Sequence, residues 1–81
     1  MKALNEDARY IQDIISASCG PCFVSTRNTF DAGWETMVFP MVKNMPDYRN
    51  PLSGYTKRYD SEKEACAGHV DTIIRLCGKE L

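Results

Sequence analysis

The sequence predicts an α+β domain in which a helix, a three-stranded antiparallel sheet and a second helix follow one another, with both helices on one face of the sheet. Apolar residues recur at three- and four-residue steps near both ends of the chain, and they alternate with polar residues in between. Turn-forming residues separate these segments. A chain of 81 residues, with 43% hydrophobic and 26% charged residues and a net charge of −1, is typical of a single small globular domain spanning residues 1–81.

The first predicted helix runs from about residue 4 to residue 18. Its inward stripe consists of residues at helical spacing: Leu4, Ala8, Ile11, Ile14, Ile15 and Ser18. Asn5 is a favourable N-cap. Gly20 can adopt the left-handed conformation that closes a helix, and Pro21 prevents its continuation. The Cys19-Gly20-Pro21-Cys22 segment is therefore predicted to end this helix.

The three predicted strands occupy the middle of the chain. Residues 22–30 and 34–42 are rich in β-branched and aromatic side chains, and the segment 31–33 between them is a turn signal, so we expect an antiparallel pair. A third strand, residues 55–60, is predicted to return alongside the second. The connection between them, about residues 43–54, lies in a proline-rich stretch and is expected to form an exposed flap.

The second predicted helix spans residues 62–77. Ser61 and Glu64 match a capping box, in which each side chain accepts a hydrogen bond from the other residue's backbone amide. Gly78 is expected to end the helix. Its inward stripe is predicted to contain five residues: Cys66, His69, Val70, Ile73 and Cys77.

The cysteines allow two chemical interpretations. A thiol oxidoreductase could use Cys19 and Cys22, but such a centre needs its first cysteine at the start of a helix, and here the predicted helix precedes it. Alternatively, Cys66 and His69 repeat the two-residue spacing, and the four residues together could hold a structural zinc ion. Buried apolar thiols and a hydrogen-bonded imidazole are the structural alternative to both.

A binding surface is predicted in the stretch from residue 34 to residue 63, which contains five of the eight aromatic residues and one more basic than acidic residue. Aromatic rings beside arginine and lysine side chains can stack on a base and neutralise a phosphate. A solvated strand face with amphipathic tyrosines is the alternative. The predicted ligand-binding residues are Trp34, Arg49, Tyr55, Lys57, Arg58, Tyr59 and His69.

Three motifs occur in order: Glu35-Thr36-Met37-Val38-Phe39, then Arg58-Tyr59-Asp60-Ser61, then Glu64-Ala65 followed by Gly68-His69. In this the chain resembles a group of small proteins of tailed bacteriophages and prophages, which have an ETMVF strand and an EAxxGH helix. The resemblance covers residues 34–70 and implies a phage origin and the strand-and-helix core, without implying an activity. The connection of residues 40–54 is longer here than in that group, and only one of the four candidate zinc ligands, His69, belongs to the shared motifs.

These observations lead us to expect a non-enzymatic binding protein of a phage or prophage. It would antagonise host defence, either by sequestering a nucleotide signal or by blocking a defence protein. The alternatives are a zinc-stabilised interaction domain and, third, a thiol oxidoreductase. No cofactor is expected outside the zinc alternative.

The expected partners are a host defence protein or a small nucleotide, with nucleic acid as a further candidate. We also expect a homo-oligomer, because a thin core and a free strand edge favour self-association. No segment resembles a signal peptide, and no apolar run is long enough to span a bilayer. We therefore expect the protein in the cytoplasm of the bacterial host, without a membrane partner.

Overall fold

The computed structural model describes residues 10–29 and 33–78. Its elements, in chain order, are β1 Tyr10–Ala17, β2 Gly20–Thr29, β3 Gly33–Val42, β4 Met45–Pro46, β5 Lys57–Tyr59 and α1 Glu62–Leu76. All strand pairs are antiparallel: β2 lies between β1 and β3, while β4 and β5 both pair with β3. The single described helix covers one face of this five-stranded sheet, which gives a two-layer α+β domain.

The prediction of a helix–sheet–helix order, with two helices on one face, is wrong. Residues 10–17 form β1, which pairs with β2 through a two-residue turn at Ser18 and Cys19. The segment carries three isoleucines, whose branched side chains favour a strand. The four-residue step from Ile11 to Ile15 misled the prediction, because residues four apart share a face in a strand as well as in a helix. The rest of the predicted helix, residues 4–9, lies outside the described residues.

The Cys19–Cys22 segment forms a hairpin rather than a helix end. Gly20 has φ +124°, a conformation that glycine adopts readily and other residues rarely do. The backbone N–H and the hydroxyl of Ser18 both donate to the carbonyl oxygen of Leu76, at 3.0 and 3.1 Å. The hairpin turn thereby satisfies a carbonyl in the last turn of α1, where carbonyls have no partner within the helix.

The predicted antiparallel pairing of the two middle strands is confirmed. β2 and β3 pair without interruption from Cys22 opposite Pro40 to Thr29 opposite Gly33. Alternation along the strands gives the sheet two different faces. The face beneath α1 is fully buried at its centre, with Val24, Thr26, Thr36 and Val38. On the opposite face, Tyr48 packs edge-on against Phe23 and Phe39.

The outer edge of β3 is covered by the chain that follows it. The predicted third strand is present but shorter, as β5, with Lys57 opposite Thr36. The connection is not a free flap: β4 pairs with the end of β3, and the N–H groups of Asp47 and Leu52 donate to β3 carbonyls at 2.8 Å. This edge of the sheet therefore has few unpaired backbone groups.

The helix α1 begins at the predicted cap. Ser61 Oγ accepts from the Glu64 N–H at 3.1 Å, while the Glu64 carboxylate accepts from the Asp60 N–H at 3.2 Å, one residue before the position that a capping box uses. Of the predicted inward stripe, His69 is buried and Ile73 is half-buried against the core, whereas Cys66, Val70 and Cys77 are exposed. The buried residues are Ala65, His69, Thr72 and Leu76. Because Thr72 is polar, a search for apolar periodicity selects the neighbouring stripe instead. No helix among the described residues is long and apolar enough to cross a membrane.

Gly68 marks the closest approach of α1 to β5. A Cβ at this position would overlap the phenol ring of Tyr59. We expect Gly68→Ala to lower the free energy of unfolding by about 1–3 kcal/mol, although alanine is intrinsically the better helix former. Urea denaturation measures the change. In a Tyr59→Ala background the same substitution should be neutral or stabilising, and an equal loss in both backgrounds would contradict this packing explanation.

Candidate functional site

A cleft of about 510 Å³ lies between β5, with its flanking residues, and one side of α1. Residues 54–60 form one wall, and the other is formed by Glu64, Ala67, Gly68, Asp71, Thr72 and Arg75. We call it the β5–α1 cleft. Its volume is within the range of small-molecule sites, about 300–1,000 Å³.

Two tyrosines hold cations at the cleft. The guanidinium of Arg75 lies 5.3 Å from the ring centroid of Tyr55, and the Lys57 ammonium lies 5.9 Å from that of Tyr59. Both distances permit a cation–π attraction, which restricts these long side chains before any ligand arrives. Since the chain reverses between β5 and α1, Tyr55 and Arg75 lie at one end of the cleft.

The cleft is lined by equal numbers of basic and acidic residues, namely Lys57, Arg58 and Arg75 with Asp60, Glu64 and Asp71. The Arg58 side chain donates to Glu35 at 3.4 Å, on the sheet face opposite α1. Arg75 therefore provides the positive charge at the Tyr55 end of the cleft, and Lys57 lies farther along it, near the Tyr59 ring. Asp60 and Glu64, at the start of α1, make the other end acidic, so the two ends of the cleft differ in charge.

His69 lies beneath the cleft rather than in it. Its ring is 2% exposed, with Nε2 at 2.8 Å from Asp13 Oδ2 and Nδ1 at 2.7 Å from Thr26 Oγ1. Thr26 Oγ1 in turn lies 2.5 Å from Thr36 Oγ1. With the ring proton on Nε2 donated to Asp13, Nδ1 accepts from the Thr26 hydroxyl, whose oxygen accepts from Thr36. We call these four side chains the His69 network.

The network has the order of groups found in hydrolytic triads, with a carboxylate, an imidazole and a hydroxyl. Thr26, however, is completely buried, so a substrate has no access to its hydroxyl. The network instead connects β1, β2 and β3 to α1. Its role is to position the helix on the sheet.

The cysteines of the redox and zinc alternatives lie in two parts of the fold, on the β1–β2 hairpin and on α1. Cys19 and Cys22 are free thiols on the hairpin, with their sulfur atoms 3.9 Å apart. Burial raises the pKa of the Cys22 thiol to about 11, and neighbouring Cys19 shifts it in the same direction. Within residues 10–29 and 33–78, no group of three or more His, Cys, Asp or Glu side chains is placed to hold a metal. Cys66 is exposed on α1, and both ring nitrogens of His69 are occupied.

The cleft brings together four of the seven predicted binding residues, Tyr55, Lys57, Arg58 and Tyr59. The other three are elsewhere: Trp34 is buried at 9% exposure, Arg49 lies in the exposed turn of the connection, and His69 belongs to the network. The prediction missed Asp71 and Arg75. Asp71 and Arg75 are four residues apart on α1 and share one face of the helix with Glu64 and Gly68. A prediction with the correct inward face would have placed them beside the cleft.

A second, smaller concavity of about 280 Å³ lies on the sheet face opposite α1. Its floor contains Phe23, Phe39 and Tyr48, and none of the seven predicted binding residues lines it.

Comparisons with protein-family models, with curated proteins and with solved structures found no match.

The His69 network predicts a large effect of one isosteric substitution. Thr26→Val removes the donor to His69 Nδ1 and the acceptor for Thr36, which leaves two buried polar groups unsatisfied. We expect the free energy of unfolding to fall by about 2–4 kcal/mol. Thr56→Val, at an exposed position, is the matched control and should change it by less than about 0.5 kcal/mol. Equal stability of the two variants by urea denaturation would contradict the network's role.

The raised pKa of Cys22 predicts unequal thiol reactivity. At pH 8 in the folded protein, iodoacetamide should modify the exposed residue Cys19, while Cys22 stays protonated and buried. Peptide mapping after alkylation measures this, with the urea-unfolded protein as the control in which all four react. Modification of Cys22 as fast as Cys19 would show instead an accessible, reactive pair.

Proposed function

We propose that this is a non-enzymatic binding protein that holds a nucleotide in the β5–α1 cleft. In this proposal it is a phage or prophage protein that antagonises host defence by sequestering a nucleotide signal. The observation that carries the proposal is the polarity of the cleft, with Arg75 against Tyr55 at one end, Lys57 near the Tyr59 ring, and the carboxylates of Asp60 and Glu64 at the other end.

Each end of the cleft suits a different part of a nucleotide. Arg75 and Lys57 can donate charge-assisted hydrogen bonds to a phosphate. The carboxylates of Asp60 and Glu64 can accept hydrogen bonds from ribose hydroxyls and from exocyclic amines. The tyrosine rings offer aromatic surface against which a base can stack. A ligand with an anionic end and a donor-rich end therefore matches the cleft.

A small nucleotide fits better than the other candidate partners. A nucleic acid presents phosphates along its whole length, and the three acidic residues of the cleft would repel them. Blocking a defence protein would not require a dipolar cleft of small-molecule size. The nucleotide alternative is therefore the one that the geometry favours.

Binding is favoured over catalysis because the histidine and its neighbouring hydroxyl lie outside the cleft walls. The one histidine of the chain lies under the cleft, with both ring nitrogens hydrogen bonded. The hydroxyl that accompanies it is buried. The phage setting and the bacterial cytoplasm as location are supported by the resemblance of residues 34–70 to phage and prophage proteins.

Isothermal titration calorimetry with AMP and with ADP as probes tests this proposal, since each has phosphate at one end and a donor-rich adenosine at the other. We expect at least one of them to bind, and Arg75→Ala and Lys57→Ala each to weaken its binding about 10- to 100-fold, since each removes a charge-assisted hydrogen bond. Arg49→Ala is the matched control, because Arg49 is exposed but lies outside the cleft.

Two outcomes would contradict the proposal. Flat titrations with both probes would argue against nucleotide binding and favour the blocking of a defence protein. An equal loss of affinity in Arg49→Ala and Arg75→Ala would place binding outside the cleft. Circular dichroism of each variant checks that the fold is retained.

A further inference from the structure

The outer edge of β1 is the long open edge of the described sheet. β4, the connection and β5 cover the opposite edge, whereas β1 pairs within the described residues only with β2. Along its eight residues, every second one directs its N–H and C=O away from β2. Natural edge strands are usually protected by lysine, proline or a bulge. β1 contains neither lysine nor proline, and its pairing with β2 is continuous.

The side of α1 next to this edge is apolar. The β5–α1 cleft uses one flank of the helix, and the opposite flank consists of Cys66, Val70, Ile73 and Cys77. This flank faces the β1 side of the sheet, because His69 bonds to Asp13 of β1. Val70 is 55% exposed on this flank. Ile14 of β1 is 65% exposed, but because its neighbour Asp13 faces α1, the Ile14 side chain lies on the opposite face of the sheet. We call the open edge of β1 together with the apolar side of α1 the β1–α1 flank.

We propose that the β1–α1 flank is the interface between two copies of this chain. β1 would pair antiparallel with β1 of the second copy about a two-fold axis normal to the sheet. The two sheets would then be continuous, with both helices on the same face and their apolar flanks adjacent. This inference goes beyond the nucleotide proposal and is independent of it.

A second copy is favoured because the surface is complementary to itself. In an antiparallel pair of identical strands related by a two-fold axis, each hydrogen bond from one strand to the other occurs twice by symmetry. The one charged residue of β1, Asp13, limits the register, since two Asp13 carboxylates facing each other would repel. A register with Ile14 opposite the same residue of the second copy avoids this, and it places each Asp13 opposite an isoleucine.

The size of the surface is compatible with a specific dimer. β1 is about 27 Å long at ~3.4 Å for each of its eight residues, and α1 is about 22 Å long at ~1.5 Å for each of its 15 residues. The sheet and the helix together are about 20 Å deep, so the surface has a flat area of roughly 500 Å² per copy, without counting the added area from protruding side chains. The two copies together would bury about 1,000 Å², which is about the lower limit for a specific interface and below the standard size of about 1,200–2,000 Å².

Sedimentation equilibrium of the full chain tests the inference. We expect a species of twice the 9.2 kDa chain mass. Val70→Asp and Ile14→Lys should each raise the dissociation constant of the dimer at least about tenfold without changing the circular dichroism spectrum. Met45→Lys is the matched control: this residue is exposed and apolar but lies at the opposite edge of the sheet, so the variant should stay dimeric.

Hydrogen exchange provides a second measurement on the unmodified protein. Amides of β1 that face the open edge should lose protection on dilution, and in Val70→Asp their exchange should not depend on concentration. A monomer at every concentration would overturn the inference. So would a dimer that survives both flank variants, or one that Met45→Lys dissociates equally. Because the cleft lies on the other flank of α1, Val70→Asp should bind nucleotide as the parent does, which separates this inference from the nucleotide proposal.

Discussion

The fold depends on a series of hydrogen bonds that runs from the half-exposed Asp13 through the buried His69 to Thr26 and Thr36. Burying polar groups is costly unless each finds a partner, and here one imidazole satisfies groups on two strands while bridging to a third. Among the described residues, no buried side-chain nitrogen or oxygen is left without a partner. Rotating α1 by one residue would break this series of hydrogen bonds, so the His69 network fixes which face of the helix meets the sheet.

Once that face is fixed, both functional surfaces follow. Gly68 is brought against Tyr59, the polar flank of α1 forms the wall of the cleft, and the apolar flank points towards the open edge of β1. Three short sequence motifs, in residues 35–39, 58–61 and 64–69, supply Thr36, Tyr59, Gly68 and His69, which hold the helix in place. The cations of the proposed ligand contacts, Lys57 and Arg75, lie outside those motifs.

The sequence predicts the elements with strong local signals and misses those decided by tertiary contacts. The β2–β3 pair, β5 and the start of α1 were predictable from alternation, turn residues and the Ser61 cap. β1 was not, because Ile11 and Ile15 fit both a helix and a strand. The inward face of α1 was predicted only in part, at His69 and Ile73, because the buried residue Thr72 is polar. The cleft residues Asp71 and Arg75 were missed for the same reason. Trp34 was assigned to binding, although its aromatic surface belongs to the core.

The central claim is that His69 is held between a carboxylate and a threonine hydroxyl and thereby orients α1. Long-range proton–nitrogen NMR correlation of the imidazole at pH 8 tests it most directly, because it reports which ring nitrogen carries the proton. The account predicts a single tautomer protonated at Nε2, with a slowly exchanging Nε2 proton close to Asp13. A ring that samples both tautomers and exchanges its proton rapidly with water would contradict it.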